Sequence, residues 1–187
     1  MMMEELSSYI RFRVGEHDFD TVMESEHRDF RVKSVKVHPG FADARDGNEL
    51  YMYNDLAVVE IDVPCMEDLK IVRLPDKATD FRNRSATVIG WGIRDPDEPY
   101  QPPILQTVTA GIYPHEMCKS LHPAIKYTHM CATDNLNGEN ITCYENFGGL
   151  LHVKEGENWV QVGIESSSRY DCLIPGQPTI YTNVSAH

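Results

Sequence analysis

The sequence lacks the long apolar run that a membrane-spanning helix requires. No stretch approaches the roughly 18 to 20 consecutive apolar residues that cross a bilayer. Basic residues are also scarce: 17 Lys and Arg face 29 Asp and Glu, and the formal net charge is −12. This balance argues against nucleic acid or an anionic membrane surface as a partner. The acidity is explained most simply by solubility.

Internal repeats and low-complexity tracts are absent from the sequence, and helix-like periodicity is scarce. The first residues, Met1 to Leu6, are too polar for the apolar core of a secretory signal. What remains is an ordinary globular composition, with 41% hydrophobic residues in 187. A chain of this length can bury a sizeable core in one domain or in two small ones.

Alternating and β-branched segments predict an all-β fold. The predicted strands lie at Ile10 to Val14, Ala57 to Val63, Gln106 to Ile112, Leu150 to Val153 and Trp159 to Ile164. The last two flank a predicted hairpin loop at Lys154 to Asn158, and Asp46-Gly47 is a second turn signal. A short helix is predicted from His115 to Leu121, because Pro114 suits a helix start.

Short motifs along the chain resemble those of the trypsin-like serine proteases, in the same order and with similar spacing. They are Tyr53 to Val59, Val88 to Gly92, Met130 to Ala132, Cys143 to Leu151 and Pro175 to Ser185. The resemblance runs from about Arg11 to His187. It implies a double Greek-key β-barrel with the active site between the barrels.

By this resemblance, residues 1–75 form part of an N-terminal barrel and residues 76–187 form the C-terminal barrel, with a linker at about Pro64 to Phe81. Family segments that would precede Ile10, and the C-terminal helix that would follow Ser185, have no counterpart in the sequence. The first barrel is therefore expected to be incomplete, with exposed sheet edges and apolar side chains. Two explanations stay open: a fragment of a longer protein, or a chain that completes this barrel in another way.

The resemblance implies that one catalytic position is retained and that others are replaced. Asp55 matches the triad aspartate, whereas Phe147 stands where the family has the nucleophilic serine. A phenyl ring has no proton to lose and no lone pair for attack. None of the eight histidines lies in the sequence context of the family's general base. With no histidine to orient, Asp55 is expected to be a structural aspartate bonded to backbone amides.

The neighbouring positions also depart from the family pattern. Glu145 replaces the glycine of the oxyanion hole, which adds negative charge beside a developing oxyanion. Asn146 replaces the aspartate that pairs with the new N-terminus on zymogen activation. Ile141, Ser166 to Ser168 and Thr179 replace residues of the specificity pocket, and we expect the pocket to be closed.

The resemblance also implies disulfides between Cys118 and Cys131 and between Cys143 and Cys172. Each would stabilise the fold by ~3 kcal/mol in the chain-entropy model. Cys65 is left over, either as a free thiol or as a partner for another segment or chain.

Three Asn-x-Ser/Thr sequons are candidate glycosylation sites, namely Asn83, Asn140 and Asn183. Together with the family resemblance and the cysteines, they predict a secreted, extracellular glycoprotein.

Glu16 and Glu26 bracket an acidic segment that resembles the calcium loop of some family members. Carboxylate oxygens are ligands that calcium prefers. The alternative is a solvated acidic loop with no ion, and no other cofactor is expected.

The preferred interpretation is a secreted, catalytically inactive serine protease homologue that binds a protease, a zymogen or an inhibitor. The first alternative is an active serine endopeptidase, as family membership alone would suggest. The second is an incomplete product with no stable function.

Overall fold

The computed structural model describes residues 9–23, 27–47, 49–63, 69–92, 100–133, 148–167 and 178–187. The N-terminal strands are β1 Arg11–Val14, β2 Arg28–Val37, β3 Ala42–Asp46, β4 Glu49–Tyr53 and β5 Ala57–Ile61. They are followed by β6 Ser85–Gly90, β7 Gln106–Ile112, helix α1 His115–Leu121, β8 His129–Thr133, β9 Leu150–Glu155, β10 Asn158–Ser167, β11 Thr179–Asn183 and a 3-10 turn, Val184–Ala186. The predicted all-β class is confirmed.

Six strands form a closed antiparallel barrel in the order β10-β11-β8-β7-β6-β9. Alternate side chains on each strand point inward, as the period of a β-strand requires. The inward residues form one apolar cluster: Phe81, Ala86, Val88, Ala110, Ile112, Met130, Ala132, Leu151, Val153, Val160, Val162 and Tyr181. We call these six strands the closed barrel.

Several predicted elements agree closely with the structure. The helix α1 spans His115–Leu121 as predicted, with Pro114 directly before it and Cys118 buried on its inner face. The Asp46-Gly47 signal lies at the turn of the β3–β4 hairpin, where Gly47 has φ +59°. Such a φ favours glycine. The β9–β10 turn is tighter than predicted, because Glu155 pairs with Asn158.

Three strands form a separate sheet in the order β1-β2-β5, which we call the open sheet. Cross-strand partners lie on the same face of a sheet, so the register divides its residues into two sets. One face carries apolar side chains: Phe12, Val14, Phe30, Val32, Val35, Val37, Ala57, Val59 and Ile61. The other face is charged and contains the ion pairs Arg13–Asp29 and Lys33–Glu60.

The apolar face of the open sheet is only partly covered within the described residues. Val32 is 8% exposed, but Phe12 is 45% exposed and Val59 is 39% exposed. The expectation of exposed apolar side chains in this part of the chain therefore agrees with the structure. The predicted division into residues 1–75 and 76–187 stays a prediction.

The β3–β4 hairpin connects the two regions. Tyr51, on β4, is 1% exposed and packs into a second apolar cluster with Cys118, Ile125, Cys131 and Ile180. The phenol of Tyr53 donates a hydrogen bond to the carbonyl of Ala124 at 3.0 Å. The hairpin thus lies on the outside of the closed barrel.

No helix in the described part of the chain combines the length and the apolar character needed to cross a membrane.

Candidate functional site

Asp55 lies in the short link between β4 and β5, and the surrounding backbone holds it firmly. Asn54 has φ +51°, which asparagine tolerates better than most residues. Its side-chain amide donates to the carbonyl of Gly40 at 2.7 Å. The N–H of His38 donates to the carbonyl of Leu56 at 3.0 Å. These contacts fix the direction in which the side chain of Asp55 leaves the backbone.

The carboxylate of Asp55 faces the closed barrel. The hydroxyl of Ser166, on β10, donates a hydrogen bond to Asp55 Oδ2 at 2.8 Å. The hydroxyl of Thr182, on β11, donates to the backbone carbonyl of Asp55 at 2.9 Å. Ser166 and Thr182 are each 1% exposed, so these bonds are shielded from water. A shielded bond to a charged acceptor is among the stronger protein hydrogen bonds.

The structure refines what the sequence predicts for Asp55. The expected donors were backbone amides, whereas the described donor to its carboxylate is the hydroxyl of Ser166. Ser166 was predicted only as a replaced wall of the specificity pocket. Ser166 meets Asp55 because the antiparallel barrel places β10 beside the end of β4. The sequence pattern did not predict this arrangement.

The segment that resembles the nucleophile loop ends beside this pair. Gly148 has φ +83°, and its N–H donates to the carbonyl of Glu165 at 3.0 Å. The N–H of Glu165 donates in return to the carbonyl of Gly149 at 2.8 Å. Glu165 precedes Ser166, so Gly148 is bonded to the residue next to the Ser166–Asp55 pair. The loop positions Glu145, Asn146 and Phe147 lie outside the described residues.

The buried histidines pack in or against the closed barrel. His122, His129 and His152 are 2%, 3% and 7% exposed, respectively. Burial lowers the pKa of each of the three, because it disfavours the charged imidazolium. His38, next to Pro39, accepts a hydrogen bond at Nδ1 from the N–H of Gly40 at 3.1 Å. None of these described contacts joins an imidazole to the Asp55 carboxylate.

Glu16 is poorly placed to bind calcium in its described surroundings. Its carboxylate bonds to Arg13 at 2.9 Å and lies 3.7 Å from Nδ1 of His27. Burial raises the pKa of Glu16, but the hydrogen bonds from Arg13 and from the His17 N–H outweigh it and lower the pKa overall. A guanidinium already neutralises the carboxylate that calcium would need. Glu26 lies outside the described residues, and no cluster of three potential metal ligands occurs among the described ones.

The sequons differ in their surroundings. Asn83 is exposed on a turn, with φ +60°, so its amide is open to modification. Asn183 is half-buried at the end of β11, where its amide donates to the carbonyl of Tyr127 at 3.3 Å and its carbonyl accepts from Ser185 at 2.9 Å. A glycan at Asn183 would replace one of the two hydrogens of the amide nitrogen that makes the first of these bonds. Asn140 lies outside the described residues.

The Cys118–Cys131 disulfide, implied by the resemblance, is confirmed. It joins α1 to β8 and forms part of the cluster that buries Tyr51. The other predicted pair, Cys143 with Cys172, and the remaining Cys65 lie outside the described residues.

These features define the class of the molecule: an all-β protein with a closed six-stranded antiparallel barrel and a hydroxyl–carboxylate pair at its edge. Comparison with known proteins agrees with this class. The family model described as Trypsin matches residues 3–187. The chain belongs to the trypsin family.

Individual relatives are 27 to 30% identical to the chain over the aligned residues. Human Testisin is 30% identical over 167 residues, which cover 83% of this chain and 50% of Testisin. Serine protease filzig of Drosophila melanogaster is 29% identical over 176 residues, 90% of this chain and 10% of filzig. Trypsin of Sus scrofa is 27% identical over 179 residues, 95% of this chain and 72% of that trypsin. The chain thus spans half or less of the length of the first two relatives.

Proposed function

We propose that the chain is a catalytically inactive member of the trypsin family, which acts outside the cell as a binding or regulatory module on a protease, a zymogen or an inhibitor. The observation that carries the proposal is Phe147 at the position of the nucleophilic serine. A serine hydrolase needs an oxygen nucleophile and a base to activate it. Phenylalanine supplies no nucleophile, whatever geometry surrounds it.

The surroundings of Asp55 support the inactive assignment. In the triad arrangement, the aspartate orients a histidine that takes the proton of the nucleophile. Here the described bond to the carboxylate comes from Ser166, and the described ring hydrogen bonds of His38 and His129 are to backbone groups. In this role Asp55 anchors the β4–β5 link to the closed barrel.

Glu145 supports the same conclusion from electrostatics. Stabilisation of the developing oxyanion is usually the largest single contribution to acyl transfer. A carboxylate at a position that resembles the oxyanion-hole glycine places negative charge beside another negative charge. The proposed role requires neither an oxyanion hole nor a cofactor.

The open sheet supports a binding role. Its apolar face includes exposed Val37 and Val59, which are diagonal neighbours on β2 and β5, and exposed Phe12 on β1. Contiguous exposed apolar surface on a protein commonly marks an interaction site. A protein partner is therefore the proposed class of ligand.

A fluorophosphonate activity probe tests the proposal that the chain is inactive, because the probe labels only an activated nucleophile. We expect no labelling of the wild-type chain, with Sus scrofa trypsin as the labelled reference. We expect Phe147→Ser to stay unlabelled as well, because none of the described histidine hydrogen bonds reaches the Asp55 carboxylate to form a general base for the new serine. Stoichiometric labelling of the wild-type chain would show an active endopeptidase and overturn the proposal.

A thermal unfolding scan of the full chain separates the proposed module from an incomplete product. A folded module gives one cooperative transition, because its core unfolds as a unit. A gradual change of the circular dichroism signal with no transition would instead support a product without stable structure.

Activation assays test the regulatory role itself. Trypsin-family zymogens from the same source are activated with and without the full chain, and a regulatory module changes the initial rate of activation. The matched control is Phe12→Lys, which places a charge on the apolar face of the open sheet. Equal rates with and without the chain, across these zymogens and their inhibitors, would contradict the regulatory role.

A further inference from the structure

A buried histidine joins the β3–β4 hairpin to the closed barrel. His129, on β8, is 3% exposed, and its Nε2 lies 3.1 Å from the carbonyl oxygen of Met52 on β4. A carbonyl can only accept, so Nε2 carries the proton and donates it to this bond. The N–H of Lys126 donates to His129 Nδ1 at 3.1 Å. Both ring nitrogens are therefore satisfied in the neutral imidazole.

A second proton would have to bind Nδ1, where the geometry opposes it. Protonated Nδ1 would face the N–H of Lys126 as donor against donor, and only the Lys126 carbonyl, 3.3 Å away, could accept from it. The resulting cation would be almost completely buried. Burial of an uncompensated charge is costly, and a protein avoids it by remaining neutral or by opening.

The neighbouring charged groups do not compensate a cation at this position. The ammonium of Lys126 lies 3.9 Å above the ring of Tyr53, which itself packs on His129 with ring centres 5.3 Å apart. Other titratable side chains lie near His129. Two of them, His115 and His187, interact with it electrostatically. A cavity beside it is lined by Lys77, Asp80, Arg82, Tyr113 and Tyr127. Asp80, the carboxylate of this set, is held by Arg82 in a two-pronged ion pair.

The pKa of His129 agrees with this geometry. Burial lowers it most, and the positive charges of Lys126 and His115 lower it further. The hydrogen bonds to the carbonyls of Met52 and Lys126 raise the pKa but do not offset the burial. Neutral His129 is thus the form that the closed hairpin accommodates.

We propose that His129 is a pH-sensitive latch, which holds the β3–β4 hairpin on the closed barrel while it is neutral and favours release of the hairpin when it is protonated. Release would uncover Tyr51 and Tyr53 and would free the chain that leads into Asp55. The latch goes beyond the proposed binding role and does not depend on it, because its test needs no partner and no catalytic activity.

The sign and size of the effect follow from proton linkage. In the open hairpin His129 meets water and takes an ordinary pKa near 6.5. The pKa of His129 is lower in the closed hairpin than in the open one. The closed form is therefore favoured most above pH ~6.5, and this stabilisation is lost as the pH falls below that value. For one proton, the opening equilibrium should rise by up to about 30-fold between pH 7.5 and pH 5.0.

Hydrogen exchange measured by mass spectrometry on the full chain tests the latch. Exchange of the β3 and β4 amides is followed from pH 7.5 to pH 5.0 and corrected for the intrinsic pH dependence of amide exchange. We expect protection of the hairpin to fall by up to about 30-fold, while β9 and β10 stay protected. His129→Gln, which keeps an amide donor but cannot titrate, should sharply reduce this pH dependence, while His122, whose ring packs against Tyr51 of the same hairpin, stays titratable.

His152→Gln is the matched control, because His152 is also buried, at 7% exposure, but lies on β9 away from the hairpin. This variant should retain the pH dependence of the hairpin. Equal corrected protection at pH 5.0 and pH 7.5 in the wild-type chain would overturn the latch, as would an unchanged pH dependence in His129→Gln.

A titration of the histidine rings of the wild-type chain by NMR keeps the proposal testable if His129→Gln does not fold. The latch predicts that His129 titrates below pH 6.5 and that the hairpin amides shift with the same midpoint. An ordinary midpoint for His129, with hairpin amides that do not follow it, would contradict the latch.

Discussion

The closed barrel and the open sheet are built from similar strands but differ in what covers their apolar faces. In the closed barrel the six strands cover one another's inner faces, and Leu151, Val153 and Val162 are fully buried. In the open sheet the alternation is equally clear, yet Phe12 and Val59 stay 45% and 39% exposed. A strand pattern therefore specifies which side chains share a face, whereas closure decides whether that face stabilises the fold.

Substitution of Leu151 by alanine in the closed barrel should produce one of the largest effects. Leu151 is fully buried in the main apolar cluster, so Leu151→Ala removes contacts and leaves a cavity. We expect a loss of ~2–5 kcal/mol in the free energy of unfolding, measured by denaturant titration. A loss below ~1 kcal/mol would mean that the barrel core is less tightly packed than the structure indicates.

Removal of the Cys118–Cys131 disulfide tests how much this covalent link stabilises the closed barrel and the apolar cluster around Tyr51. Replacement of Cys118 and Cys131 together by alanine should lower the free energy of unfolding by ~2–4 kcal/mol, because the unfolded chain gains entropy. The variant is preferable to chemical reduction, which would also break any disulfide formed by the other three cysteines. An unchanged denaturation midpoint would contradict this contribution.

The Asp55–Ser166 bond tests the junction between the two regions. Ser166→Ala leaves the carboxylate without its described hydroxyl donor and should cost ~1–3 kcal/mol. Ser120→Ala is the control, because Ser120 is exposed on α1 and bonds only locally, to Met117. Its expected effect is within ~0.5 kcal/mol. Equal effects of the two substitutions would show that the junction contributes little to stability.

Phe12→Ala in the open sheet should have the smallest effect, at under ~1 kcal/mol, because the ring already contacts water. Phe81→Ala is the matched core control: Phe81 is 3% exposed, and its loss should cost ~3–5 kcal/mol. Similar losses for the two phenylalanines would indicate that the apolar face of the open sheet is covered in solution, and the comparison between the two regions would fail.

Much of the closed barrel could be predicted from local sequence. The predicted strand from Gln106 to Ile112 and the helix α1 agree with the structure, because β-branched alternation and a proline at a helix start act locally. The strands β3 and β4 were not predicted beyond their turn. Their residues include Asp43, Ala44 and Arg45, which have little strand preference, and pairing with each other and with the barrel stabilises them.

The candidate site was predicted only in part. Asp55 and Phe147 were identified from motifs, since the identity of a side chain is a property of the sequence. Ser166 as the donor to Asp55 was missed, because its hydroxyl comes from a strand 111 residues away. In the sequence His129, like the other histidines, lies outside the context of the general base, and no contact was predicted for it, although its ring bonds to a carbonyl 77 residues away.

The sequence by itself thus determined the all-β class, the trypsin-like motifs and the phenylalanine at a position that resembles that of the family's nucleophile. These depend on residue type and on spacing along the chain. Only the tertiary structure decided which apolar face is enclosed, which hydroxyl meets the Asp55 carboxylate, and where a neutral histidine holds the hairpin. Each of these depends on atoms that are distant in sequence and meet only when the barrel closes, and no local pattern encodes that meeting.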